Sequence, residues 1–177
     1  MAHSGLTGIL LVGGASTRFG SPKALARLDG RTLAEIGWET LAFCDERIAV
    51  GKAADEIELP FPILGDGANV RAPIAGVIGG LRAAVNDLCV VLPVDTPCVA
   101  SATLRELVAA CTGDVAVPQT GPLPGVYRKS VLAALEEALA AGALSLREVI
   151  ADLDVTRVEV DPALLINVNS PDDLVRL

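Results

Sequence analysis

The sequence predicts a doubly wound α/β domain, a single mostly parallel sheet with helices on both faces, and three observations carry that prediction. Apolar runs of strand length alternate with helix-like stretches along all 177 residues. The segment at 88–94, LCVVLPV, is almost wholly apolar, as a strand buried on both faces must be. Hydrophobic residues make up 51% of the chain but aromatic residues only 3%, so the core is built from Leu, Val, Ile and Ala.

Taken in order, residues 8–12 form the first expected strand, and a Gly-rich loop follows over 13–23. Thr32 and Glu35 have capping-box spacing and open a helix to about residue 43. Short strands are expected at 47–50 and 61–64, then a helix at 75–85 despite its three glycines. After the strand at 88–94 come a helix at 101–111, a strand at 114–117 and a turn-rich segment at 121–126. Residues 130–141 are helical, Ser145 and Glu148 repeat the capping spacing, and 155–160 alternates like an edge strand. Residues 164–168 are the last expected strand. Ser170 then caps a terminal helix with Pro171 at its first position. No repeat or linker interrupts the chain, so one domain over 1–177 is expected, with 1–6 as a flexible leader.

A net charge of −8 disfavours nucleic acid and anionic lipid as partners. No apolar run approaches the roughly 18 residues a membrane span needs. Four cysteines without CxxC spacing and a single histidine, His3, argue against zinc. Reduced thiols and the lack of a signal-peptide pattern point to the cytoplasm.

In a doubly wound fold, ligands sit outside the carboxyl ends of the strands. The loop after the first strand reads LVGGASTRFGSPKAL. Its glycines allow close backbone approach to a phosphate, and Arg18 and Lys23 supply neutralising charge. The pattern satisfies neither the Walker A spacing nor GxGxxG. A glycine pair alone also suits a surface turn; the position after the first strand, the two cations and Gly20 favour phosphate. Asp95 ends the most apolar strand, where an unpartnered carboxylate is costly. A magnesium ion bridging nucleotide phosphates is the natural partner; capping the helix that starts near Ser101, or its preceding turn, is the plainer role.

These residues resemble the nucleotidyltransferase signature LAGGxSxRMGxxK. PIAGVIGGL, LPVDTP, PLPGVYR and NVNSPDDL, in that order, resemble the MobA-type molybdenum cofactor guanylyltransferases. The resemblance spans residues 11–174 and implies a Rossmann-like nucleotidyltransferase fold. The implied reaction is attack by the terminal phosphate of molybdopterin on the α-phosphate of GTP, with Mg2+ as cofactor and release of pyrophosphate. Carried over by position, Leu11, Val12, Gly13, Gly14, Lys23, Asp66 and Asp95 would bind the nucleotide. Asp95 would also hold the metal, Arg18, Lys23 and Asp95 would act in catalysis, and Asn167 and Asn169 would lie on the acceptor side. A labile acceptor also implies cofactor-delivery proteins as partners. Val12 and Phe19 replace the motif's usual Ala and Met, Gly51 stands where the family can offer an Asn, and the segment 114–124 is short. Ser21-Pro22 before the lysine is similar to cytidylyltransferases, so CTP or another phosphorylated acceptor remains an alternative. So does a non-catalytic nucleotide-binding module.

Smaller signals read more plainly. Asn167 and Asn169, two apart, would share a face of a strand. Lys52 and Arg71 read as solvated cations in loops at the correct end of the sheet. Trp38 reads as core or interface. Tyr127 and Arg128 suit either strand-end packing or the acceptor.

Overall fold

The computed structural model describes residues 5–13, 20–52 and 57–177. Its centre is a seven-stranded sheet of β1 (Leu6–Leu11), β4 (Glu46–Gly51), β5 (Ile63–Gly65), β6 (Leu88–Pro93), β7 (Val115–Pro118), β8 (Gly125–Arg128) and β9 (Val155–Val158). The order is β5-β4-β1-β6-β8-β7-β9. Only β8 runs antiparallel to its neighbours, β6 and β7; the other pairings are parallel. The doubly wound, mostly parallel architecture is therefore the one the apolar runs predict.

Alternation along the strands sorts the core into two layers. Ile9 and Leu11 of β1 face a cluster with Val50, Val91 and Tyr127, covered by α2 (Pro73–Ala83), α4 (Leu132–Ala140) and α5 (Leu146–Ile150). Leu10 and Val12 face the other cluster, with Ala49, Val90 and Leu92, covered by α1 (Leu33–Thr40) and α3 (Ser101–Ala110). Among the described residues no helix is long and apolar enough to cross a membrane. All four cysteines are free thiols, and burial pushes Cys44 and Cys89 up to about 12.

The caps form as their spacing predicts. Glu35 N–H donates to Thr32 Oγ1 at 3.1 Å and Thr32 N–H to Glu35 Oε2 at 2.7 Å, a complete capping box on α1. Ser145 accepts from Glu148 N–H at α5, and Ser170 with Asp173 boxes the start of α6 (Pro171–Val175).

Four expectations need correction. β1 begins at Leu6, whose N–H donates to Asp45 Oδ2 at 2.8 Å, so the strand takes in the end of the expected leader; residues 1–4 lie outside the described residues. The turn-rich segment resolves into β8 from Gly125 onward, a strand whose glycine start disguised it. A short hairpin, β2 (Arg27–Leu28) and β3 (Arg31–Thr32), was not foreseen although Asp29-Gly30 marks its turn, both at positive φ. Residues 164–168 are no strand. A 3-10 turn covers Pro162–Leu165 and an extended segment follows, because Val168 N–H bonds the loop carbonyl of Asp95 at 2.7 Å rather than a neighbouring strand.

Candidate functional site

The chain builds leftward from β1 to β4 and β5, then crosses back to place β6 on the other side of β1. The switch opens a crevice at the strands' carboxyl ends. A cleft of about 360 Å³ occupies that position. Its lining draws on the ends of β1, β4 and β6, the loop after β5 and the start of α2, with Lys23, Leu123 and Asn167 added from outside the sheet. Three cations, Lys23, Lys52 and Arg71, meet two carboxylates, Asp66 and Asp95, along its wall. A chain of net charge −8 thus carries a local cation excess where an anion would bind.

The β1 loop approaches the end of β4 closely. A Cβ on Gly13 would lie 3.2 Å from the Cα of Gly51, so side chains at this pair would force the two strand ends apart. This glycine contact explains why Gly51 departs from a polar residue without opening a gap. Leu11 and Val12 are buried and line the cleft through the strand end, as expected for a floor rather than a donor set. Gly14 and Arg18 lie outside the described residues.

Lys23 begins a short 3-10 turn, Lys23–Leu25, whose buried Ala24 anchors the loop on the α1 face. Its Nζ sits 3.3 Å from Asp95 Oδ2 and donates to Asn169 Oδ1 at 3.0 Å. Asp95 does not cap α3, whose N-cap is Ala100 without a side-chain bond. Instead, a turn in which Thr96 bonds back to Pro93 O turns the carboxylate toward the lysine. The helix-capping role is thereby excluded. Asp95 keeps 26% of its side chain exposed and Lys23 16%, so both remain reachable from the cleft.

The C-terminal segment is fastened to this centre by one backbone bond and braced within itself by a second set. Val168 N–H donates to Asp95 O at 2.7 Å, and Asp173 Oδ2 accepts from the N–H groups of Asn169 and Ser170 at 2.8 and 2.9 Å. Those bonds, Asn169 first, hold the Asp173 carboxyl below the usual aspartate range. Asn167 and Asn169 flank the fully buried Val168 and are both exposed, so they share a side without belonging to a strand. Asn167 lines the cleft and Asn169 reaches Lys23.

Asp66 follows β5 and is 8% exposed, paired with Lys52 at 2.7 Å. The reading of Lys52 as a solvated cation is corrected: it is 13% exposed and lines the cleft. Its signal was its place directly after an apolar strand. Leu123 was also missed; the hydroxyl of the buried Tyr127 donates to Pro122 O at 2.6 Å and fixes the turn that carries Leu123 to the cleft. Tyr127 itself packs in the core, and Arg128 turns away to Asp87 and Gly113 O. Trp38 stacks on Phe61 with centroids 4.1 Å apart. α2 starts at Pro73 with no side-chain cap, and Ala72, Pro73 and Gly76 border the cleft, so its positive end faces the space.

Residues 8–158 match the MobA-like NTP transferase domain family. The chain is 32% identical to a probable molybdenum cofactor guanylyltransferase of Chloroflexus aggregans, over 97% of this chain and 93% of that protein. It is 33% identical to a molybdenum cofactor guanylyltransferase of Cereibacter sphaeroides, over 97% and 94%. Among solved structures, molybdopterin-guanine dinucleotide biosynthesis protein A from Archaeoglobus fulgidus superposes with a TM-score of 0.82 at 26% identity, covering 96% of this chain and 95% of that one.

Proposed function

The chain belongs to the MobA-like NTP transferase family, and on that premise we propose that it transfers the guanylyl group of GTP to the terminal phosphate of molybdopterin, releasing pyrophosphate. One observation carries the reading. Lys23, Asp95 and Asn169, far apart in sequence, converge at the rim of a cleft floored by the β1 and β6 strand ends.

The reaction asks little covalent chemistry of the protein. An ionised oxygen of the acceptor phosphate attacks the α-phosphorus of GTP, a new P–O bond forms, and the bond to the β-phosphate breaks. Lys23 donates to the phosphate oxygens and offsets their charge. Gly13 lets the phosphates approach the backbone. The start of α2 and Arg71 add positive potential to the same space. Asn167 and Leu123 would face the acceptor, the one polar and the other apolar.

A divalent cation suits the residues present. Asp95 is a single accessible carboxylate, and among the described residues no group of three or more His, Cys, Asp or Glu could cage an ion. Magnesium takes one or two carboxylates and fills its shell with phosphate oxygens and water, so Asp95 would hold it. Bound there, the ion would supply charge neutralisation on the triphosphate. The reading makes this a cytoplasmic enzyme, where its four free thiols would stay reduced, and a labile acceptor would reach it from a delivery protein.

The test is pyrophosphate release with molybdopterin, magnesium and each of the four nucleoside triphosphates in turn. Release with GTP alone is expected. Release with CTP moves the chain to cytidylyl transfer, and nucleotide binding without release makes it a non-catalytic module.

A further inference from the structure

Lys52 and Asp66 form an ion pair whose burial demands an explanation. Nζ lies 2.8 Å from Oδ1 and 2.7 Å from Oδ2, and it also donates to Ala68 O at 2.7 Å. Oδ1 accepts in addition from Ala68 N–H at 3.0 Å. Withdrawing both charges from water is expensive, and a pair of this kind is seldom better for stability than an apolar one. The loop is nonetheless built to hold it. Gly79 lets the Asp66 backbone lie against α2, where a Cβ would come within 2.9 Å of Asp66 Cα.

Both side chains line the cleft. A carboxylate has about four acceptor positions and an ammonium has three protons. Among the described residues the contacts of Asp66 leave one acceptor position on Oδ2. Lys52 shares one proton between the two carboxylate oxygens and gives a second to Ala68 O, which among the described residues leaves a third for a further acceptor. The wall therefore presents a cationic donor and an anionic acceptor side by side.

That pattern has a complement among the nucleobases. Guanine carries O6 as an acceptor beside N1–H and an amino group as donors. Adenine and cytosine place an amino group where guanine has O6, which would set a donor against the ammonium. The strand order β5-β4-β1-β6 separates the Lys52–Asp66 end from Asp95 by up to three strand spacings, about 14 Å. This leaves the phosphates with Lys23 and Asp95 and the base beyond β1. We propose that Lys52 is a specificity-determining residue that, together with Asp66, reads the guanine edge of GTP: the ammonium donates to O6 and the carboxylate accepts from N1–H or the amino group. The inference rests on the guanylyl reading and extends it to a residue that the family motifs do not include.

The experiment compares calorimetric affinities, with magnesium, for GTP and for 6-thioguanosine triphosphate, which keeps both N1–H and the amino group and replaces O6 by sulfur, a weak acceptor. The wild type is expected to favour GTP by about 10- to 100-fold, because a site built to bond a polar atom rejects the analogue without it. Lys52→Met should bring the ratio close to one while leaving affinity for the analogue within about threefold; Lys52→Arg should restore the preference. Equal weakening of both nucleotides by Lys52→Met makes the lysine a clip for the 66–68 loop and overturns the proposal. Should Lys52→Met not fold, the wild type decides alone: equal affinity for both nucleotides overturns it. A wild-type preference for CTP or ATP over GTP overturns the guanylyl reading itself, whereas a GTP preference that survives Lys52→Met sinks only the role given to Lys52.

Discussion

Lys23 Nζ and Asn169 Oδ1 stand 3.0 Å apart although 146 residues separate them, and the same ammonium lies 3.3 Å from Asp95. The lysine proposed to bind phosphate is thus aimed from the middle of the chain and from its C-terminal segment. Lys23→Ala is expected to raise KM for GTP about 10- to 100-fold, the loss of a charge-assisted bond. Asn169→Ala keeps the charge and loses only its orientation, so about a fivefold effect is expected. Steady-state kinetics check both; unchanged GTP affinity in Lys23→Ala contradicts the phosphate role.

Asp95 neither caps a helix nor sits fully buried, so its removal should spare the fold. Asp95→Ala is expected to cut magnesium-dependent turnover by about 100- to 1000-fold with an unchanged circular dichroism spectrum. Near-normal turnover in a folded variant would remove Asp95 from the mechanism.

The capping box on α1 allows a stability prediction with a size. Thr32→Ala takes away the acceptor of the Glu35 N–H and should cost about 1 kcal/mol. For a chain of this length that is a fall of about 2–4 °C in Tm. Calorimetry showing no change would mean the N-terminal turn of α1 finds another partner.

Acid should loosen the C-terminal fastening. The Asp173 carboxyl is held low by the Asn169 N–H first, then by the Ser170 hydroxyl. A depressed folded-state pKa stabilises above the ordinary aspartate value and is lost as pH falls through the lowered one. The stability gap between wild type and Asp173→Asn should therefore be full near neutrality and close below that range. A gap independent of pH, measured by chemical denaturation across pH 2–7, would show that the carboxylate charge plays no part.

Much of this was legible because it is local or periodic. The β6 run, the capping boxes and the glycine loop each signal themselves within ten residues, and the ends of β1 and β6 followed from the fold rule for doubly wound sheets. What stayed hidden depends on tertiary partners. Nothing in the sequence around Lys52 names Asp66, since their pairing requires β4 beside β5. The 164–168 segment has strand composition, but its hydrogen bond goes to a loop. β8 hid behind Pro and Gly because a strand may begin on glycine when its neighbours supply the ladder on both sides.

The bond from Val168 N–H to Asp95 O makes the tail a strut for the Asp95 loop, not an appendage to it. Removing residues 166–177 takes no strand from the sheet, yet it deletes one partner of Lys23 and the brace of Asp95 together. On the proposed reading, proteolytic clipping there is expected to lower turnover while leaving every strand of the sheet in place. Solubility or a native-like melting curve would then be a poor proxy for active enzyme, and intact mass at the C-terminus is the quality control that a preparation needs.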